Sequence, residues 1–116
     1  MSSAPAGYVA VARLSALDPA IPHGVELADG RRLCLVRDGD AVYAVDDQCT
    51  HRDFALSGGD VVGPCVLECP WHGARFDVRT GAPVGGPGLD PLGTHAVHVD
   101  GDLLLVGPRL TDGPPT

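Results

Sequence analysis

The stretch DDQCTHRDFALSGGDVVGPCVLECPWHGARFD, residues 46–77, carries most of the information in this chain. It contains two short motifs, Cys49-Thr50-His51 and Cys69-Pro70-Trp71-His72, and each motif has one thiol and one imidazole. Seventeen residues separate His51 from Cys69, which is enough chain for a hairpin that brings two loops face to face. We therefore expect these four side chains to meet at one site.

Thiolate and imidazole groups are both good ligands for transition metals. Two Cys and two His form a common zinc set, so a zinc-stabilised interaction module is one interpretation. Zinc fingers, however, usually group Cys with Cys and His with His, whereas each motif here mixes the two types. A binuclear iron cluster explains the mixture better, because each loop could send its Cys to one iron and its His to the other.

The composition around these motifs favours short strands over long helices. The chain has 116 residues, the usual length of a single domain, and it is rich in Gly (16) and Pro (11). Apolar residues alternate with others in runs typical of strands with one buried face. These runs lie at residues 8–14, 23–28, 31–37, 41–46, 65–69, 74–78, 95–99 and 102–106.

The breaks between the runs carry turn residues. Four dipeptides can adopt the positive φ of tight hairpin turns: Asp29-Gly30, Asp38-Gly39, Thr80-Gly81 and Asp100-Gly101. Residues 14–19 favour one helical turn. We predict an all-β fold, an antiparallel β sandwich or small barrel.

The strand pattern is interrupted between residues 46 and 88, where both motifs lie. We predict one domain in which residues 8–45 and 89–106 form the β base and residues 46–88 form a small, loop-rich, cluster-binding subdomain. The polar segments 1–7 and 107–116 are rich in Pro and Gly, and we expect them to be flexible tails.

These motifs resemble those of the Rieske proteins, and most closely those of the small Rieske-type ferredoxins of bacterial aromatic-ring-hydroxylating dioxygenases, including the carbazole type. The resemblance rests on CTH, CPWHG, their spacing, LSGGDVVG between them and RFDVRTG after them, and it covers about residues 8–106. It implies one [2Fe-2S] cluster, with Cys49 and Cys69 on the inner iron and His51 and His72 on the outer iron.

The resemblance also implies a function. The chain would carry one electron at a time from a flavin-containing NAD(P)H reductase to a terminal Rieske non-haem iron oxygenase acting on aromatic compounds. It would not itself be an enzyme. The small subunit of nitrite reductase, which has a similar fold and size, is an alternative.

The flanking residues predict a low reduction potential. With two thiolates and two neutral imidazoles the oxidised core is uncharged, so Rieske centres lie at roughly −150 to +300 mV, against about −400 mV for plant-type ferredoxins. High-potential relatives resemble CTHLGC and CPCHGSxYD, in which the extra Cys pair forms a disulfide and the Ser and Tyr hydroxyls donate hydrogen bonds to cluster sulfurs. This chain has Phe54 and Trp71 at the two Cys positions, Ala74 for the Ser and Phe76 for the Tyr. Without those groups we expect a potential near the low end.

Charge restricts the partners. Acidic residues outnumber basic ones 15 to 8, for a net charge of −7, and every basic residue is Arg. Nucleic acid and anionic membranes are therefore poor partners, whereas a basic protein surface is favoured; the acid excess could equally serve solubility alone. With no signal sequence or long apolar run, we expect a soluble, cytoplasmic protein.

The remaining Cys and His residues lie outside the two motifs. Cys34 and Cys65 are in strand-like runs and are expected to be small buried hydrophobes. His23, His95 and His98 show no pattern that indicates a functional role.

Overall fold

The computed structural model describes residues 6–48, 55–70, 73–85 and 90–111. Short 3₁₀ helices lie at Leu14–Ala16 and Leu56–Gly58, and no helix within these ranges is long and apolar enough to cross a membrane. The strands are β1 (Val9–Arg13), β2 (His23–Glu26), β3 (Arg32–Asp38), β4 (Ala41–Asp46), β5 (Asp60–Gly63), β6 (Val66–Glu68), β7 (Arg75–Asp77), β8 (Pro83–Gly85), β9 (Thr94–Asp100) and β10 (Leu103–Thr111).

The strands form two sheets, and every pairing is antiparallel. The base is a six-stranded sheet in the order β1-β10-β9-β4-β3-β2, which curls into a nearly closed barrel. The second sheet has the order β5-β6-β7-β8 and is contributed by the segment between β4 and β9. This architecture confirms the predicted all-β fold with an inserted subdomain.

Strand β3 joins the two sheets because both of its faces are buried. Leu33 and Leu35 pack in the core of the base. Cys34 and Val36 point to the opposite face and pack in a second core with residues of β6 and β7. The sequence pattern predicted strands with one buried face; β3 differs because the second sheet covers its outer face.

The predicted turns are confirmed. Gly30, Gly39, Gly81 and Gly101 all have positive φ, between 60° and 93°. The single helical turn after β1 is also present, as the 3₁₀ helix at Leu14–Ala16.

Three elements were not predicted. The alternation of apolar residues predicts no strand at β5 or β8, because each strand is short and lies beside Gly or Pro. The 3₁₀ helix at Leu56–Gly58 was also missed.

The predicted end of the last strand, at residue 106, is wrong, since β10 continues to Thr111. Residues 107–111 therefore belong to this strand and not to a tail. Irregular pairing between Val106 and Arg109 accommodates Pro108, which cannot donate a backbone hydrogen bond. The far end is held by side chains, with the Thr94 and Thr111 hydroxyls 2.8 Å apart. Residues 112–116 lie outside the described residues.

Candidate metal centre

Of the four predicted ligands, the described residues contain Cys69 alone; Cys49, His51 and His72 lie outside them. The structure does describe the segments that lead into and out of both motifs. For residues 49–54 these are the end of β4 and the 3₁₀ helix that begins at Leu56. For residues 71 and 72 they are β6 and β7. No group of three or more metal-binding side chains occurs within the described ranges, which do not include three of the predicted ligands.

The second motif lies on a tight connection between two paired strands. Glu68, the last residue of β6, pairs with Arg75, the first residue of β7, and their side chains form an ion pair of 2.8 Å. One step further, the Cys69 backbone N–H donates to the Ala74 carbonyl oxygen at 2.7 Å. Gly73 has a φ of +68°, a conformation that favours glycine. Four residues therefore connect Cys69 to Ala74.

Cys69 itself is buried, with 2% of its surface exposed. It packs in one apolar cluster with Leu56, Leu67, Phe76 and Leu92. Leu56 follows the first motif, and Leu92 precedes β9. Leu56, which follows the first motif, and Phe76, which follows the second, thus pack in the same core as Cys69.

Two consecutive Asp residues, Asp46 at the end of β4 and Asp47, lie just before the first motif, and hydrogen bonds hold both of them. The Asp46 N–H donates to the Gly93 carbonyl oxygen at 2.9 Å, and the Asp47 N–H donates to the Arg32 carbonyl oxygen at 3.0 Å. The Asp47 carboxylate accepts hydrogen bonds from both the backbone N–H and the hydroxyl of Ser57, each at 2.6 Å. These bonds hold Asp47 and Ser57, which flank the first motif, next to each other.

The Asp46 carboxylate lies in a charged network. It accepts a hydrogen bond from His95 Nε2 at 2.8 Å and from Arg109 Nη1 at 3.0 Å. Burial raises the pKa of the Asp46 carboxyl, but these two hydrogen bonds and the charge of Arg109 outweigh burial, so that its pKa lies below the ordinary 3.8. The carboxylate is ionised at neutral pH.

The hydrogen bonds also determine the tautomer of His95, whose side chain is fully buried. Arg31 Nη1 lies 3.1 Å from His95 Nδ1. Because a guanidinium can only donate, Nδ1 must accept, and the ring proton is on Nε2, facing Asp46. No sequence pattern indicated this role for His95, because its two partners, Arg31 and Asp46, lie 64 and 49 positions away in the chain.

The two remaining cysteines are buried, as predicted, at 0% and 3% exposure for Cys34 and Cys65. Burial raises the pKa of the Cys34 thiol. Burial and the neighbouring Asp38 raise the pKa of the Cys65 thiol, whose Sγ lies 3.3 Å from Asp38 Oδ2. Both side chains therefore remain protonated thiols at neutral pH, a form unsuited to metal binding.

Known proteins share this sequence and fold. Residues 7–96 match the family described as the Rieske [2Fe-2S] domain. Ferredoxin CarAc of Metapseudomonas resinovorans is 36% identical over 103 residues, which cover 88% of this chain and 95% of that protein.

Two solved structures superpose closely. The ferredoxin of carbazole 1,9a-dioxygenase from Nocardioides aromaticivorans IC177 has a TM-score of 0.80 and 42% identity, covering 89% of this chain and 99% of its own. A complex of reduced oxygenase and oxidised ferredoxin in carbazole 1,9a-dioxygenase contains a chain with a TM-score of 0.81 and 34% identity, covering 90% and 98%. These ferredoxin names favour the ferredoxin prediction over the nitrite reductase subunit.

Proposed function

Because this chain belongs to the Rieske [2Fe-2S] domain family, we propose that it carries single electrons from a flavin-containing NAD(P)H reductase to a terminal Rieske non-haem iron oxygenase that acts on aromatic compounds. The observation that supports this proposal most directly is the similarity to a ferredoxin chain in complex with its oxygenase, over 98% of that chain. The chain is an electron-transfer component of such a system and not its catalyst.

The cofactor is a Rieske-type [2Fe-2S] cluster. When bound, this cluster accepts and releases one electron. We propose Cys49 and Cys69 as the ligands of one iron and His51 and His72 as the ligands of the other.

The described residues fit this role. Cys69 is buried in an apolar cluster, a surrounding that excludes water from a metal–thiolate bond. Its backbone N–H is bonded to Ala74, so the thiol is held at the base of a short loop that also contains His72. We assign the cluster to residues 46–88 and regard the six-stranded sheet as its support.

The surface charge suits a basic partner. Six described arginines form ion pairs with carboxylates, and a seventh, Arg37, donates to the carbonyl oxygens of Gly39 and Leu14. Arginine charge is thus compensated locally, and the excess of acids sets the sign of the outward field. We propose that basic surfaces on the reductase and the oxygenase dock on the acidic surface of this protein. We also propose that this takes place in the cytoplasm. The six paired arginines are Arg13, Arg31, Arg32, Arg75, Arg79 and Arg109.

A potentiometric titration of the purified protein, followed by electron paramagnetic resonance, tests the proposal. We expect a rhombic signal on one-electron reduction, with an average g below that of the free electron, at the low end of the roughly −150 to +300 mV range of Rieske centres. A colourless protein containing zinc would contradict the proposed cluster. A potential near the top of that range would contradict the role of donor to an oxygenase.

A further inference from the structure

We propose that the hydrogen-bonded pair Asp47–Ser57 positions the first cluster loop, so that both residues control how firmly the chain holds its cluster. This inference rests on the proposed function, in which Cys49 and His51 are ligands on the loop between the two residues. Neither residue would bind iron itself. Each would act by restricting the backbone that carries the ligands.

The pair has the geometry of a two-point contact. Asp47 Oδ1 accepts the Ser57 backbone N–H and Asp47 Oδ2 accepts the Ser57 hydroxyl, each at 2.6 Å. One carboxylate therefore satisfies two donors of one residue, which determines both the distance and the relative orientation of the two ends of the loop. Hydrogen bonds to a charged acceptor are stronger than those between neutral groups.

Each end of the pair is attached to a different part of the fold. The Asp47 N–H donates to the Arg32 carbonyl oxygen at the start of β3. Ser57 lies in the 3₁₀ helix beside Leu56, which is fully buried in the core that contains Cys69. The pair thus connects the base sheet to the core that contains Cys69.

Strand β2 covers the pair. A Cβ at Gly24 would lie 2.8 Å from Ser57 Oγ and 3.1 Å from Asp47 Oδ2, so the strand backbone approaches as closely as a glycine allows. Asp47 and Ser57 are consequently half-buried. Partial exclusion of water strengthens a charged hydrogen bond that competes with solvent.

A contact between the two ends of a loop lowers the number of conformations that the residues between them can adopt. For a metal site, this means that ligands are held close to binding geometry before the metal arrives and return to it after a bond breaks. Loss of the pair should therefore accelerate release of the cluster and have a smaller effect on the free energy of unfolding.

The chain contains a matched control. Ser15 and Asp102 form the same two-point contact, with the Ser15 backbone N–H 2.8 Å and its hydroxyl 2.7 Å from the two carboxylate oxygens. Asp102 lies in the turn after β9, and β9 begins at Thr94, which pairs with Val45 near the first motif. The control pair is therefore at the opposite end of the base.

The test compares Ser57→Ala with Ser15→Ala in the cluster-loaded protein. Loss of visible absorbance in excess chelator gives the rate of cluster release, and the resonance spectrum reports the ligand geometry. We expect release about tenfold faster from Ser57→Ala, since a hydrogen bond to a charged group is removed, together with broadened signals. Ser15→Ala should release the cluster at the wild-type rate. Equal rates for the two variants would overturn the inference.

Two further variants keep the test decisive if Ser57→Ala does not load. Asp47→Asn retains an acceptor for the Ser57 N–H and should give an intermediate release rate. Gly24→Ala places a Cβ too close to Ser57 and Asp47 and should accelerate cluster release. Gly63→Ala is its control, because no atom lies within 4 Å of the added Cβ, and it should not change the release rate. Wild-type release from both Asp47→Asn and Gly24→Ala would also overturn the inference.

Failure of this inference can be distinguished from failure of the proposed function. If the wild-type protein held zinc, the cluster proposal would fail. The comparison of Ser57→Ala with Ser15→Ala, read as zinc release to a chromogenic chelator, would still test whether the pair positions the loop.

Discussion

At the scale of single residues, Asp46 shows how a half-buried carboxylate stays ionised. Its partners His95 and Arg109 come from the β9–β10 hairpin, and a third charged group, Arg31, determines which nitrogen of His95 donates. Removing one partner would leave another buried polar atom without its bond, which costs more than the bond itself contributes. The network therefore stabilises the end of β4, which leads into the first motif.

Asp46→Asn should change how stability depends on pH. The pKa of Asp46 is lowered in the folded state, so its stabilisation is complete above the unfolded value of 3.8 and is lost as the pH falls through the folded-state pKa. We expect the variant to be about 1–3 kcal/mol less stable at pH 7 and to lose this difference in strong acid. Urea unfolding followed by circular dichroism at several pH values measures it.

Asp40→Asn is the control, since Asp40 is exposed in the β3–β4 turn. It should leave stability at pH 7 almost unchanged. A difference between Asp46→Asn and the wild type that did not vary with pH would contradict the assignment.

His51→Cys tests the proposed ligand set directly. A third thiolate adds negative charge to the cluster, which makes it harder to reduce, so the potential should fall toward the value of about −400 mV typical of plant-type ferredoxins. Potentiometry with resonance detection measures this. His23→Cys, kept reduced, is the control because His23 is exposed on β2. An unchanged or raised potential in His51→Cys would contradict the proposed role of His51.

At the scale of elements, packing between β3 and β7 attaches the second sheet to the base. Cys34 and Val36 on the outer face of β3 pack in one core with Phe76 of β7 and with Cys69. Phe76 is fully buried and its neighbour across the ladder is Leu67. This core holds Cys69 and the second sheet against the base.

Phe76→Ala should therefore destabilise the protein strongly. Removing a buried aromatic side chain typically costs about 3–5 kcal/mol, because the cavity closes only in part. Val84→Ala on β8, where the side chain is 54% exposed, should cost less than about 0.5 kcal/mol. The midpoints of urea unfolding compare the two. A similar, small cost for both would mean that the core around Cys69 is not closely packed.

At the scale of the whole molecule, charge distribution controls association. The net charge of −7 is spread over a chain whose described arginines pair with acids or with backbone carbonyls. Individual exposed ion pairs contribute little to stability. Their larger consequence is that the uncompensated acids dominate the field seen by an approaching partner.

Electron transfer to the partner oxygenase should consequently slow as salt is added. The Debye length falls from about 30 Å at 0.01 M to about 10 Å at 0.1 M, so attraction to a basic surface is progressively screened. Stopped-flow measurement of the second-order rate should show a decrease of several-fold over this range. Oxidation by a small uncharged oxidant is the control and should not depend on salt. A partner rate indifferent to salt would contradict electrostatic docking.

The all-β class, the four confirmed Gly turns, the single inserted subdomain and the similarity to Rieske ferredoxins could all be predicted from the sequence. These features are local: a turn needs positive φ at one residue, and the two motifs need only their spacing. The proposed ligands Cys49, His51 and His72 lie outside the described residues and stay a prediction.

The contacts around the proposed site could not be predicted, because they depend on the folded arrangement of the strands. Strands β5 and β8 have little alternation of their own and form because β6 and β7 provide pairing partners. The bonds of Asp46 to His95 and of Asp47 to Ser57 join residues 49 and 10 positions apart. Such contacts depend on how sheets pack and on register, which a one-dimensional pattern does not encode.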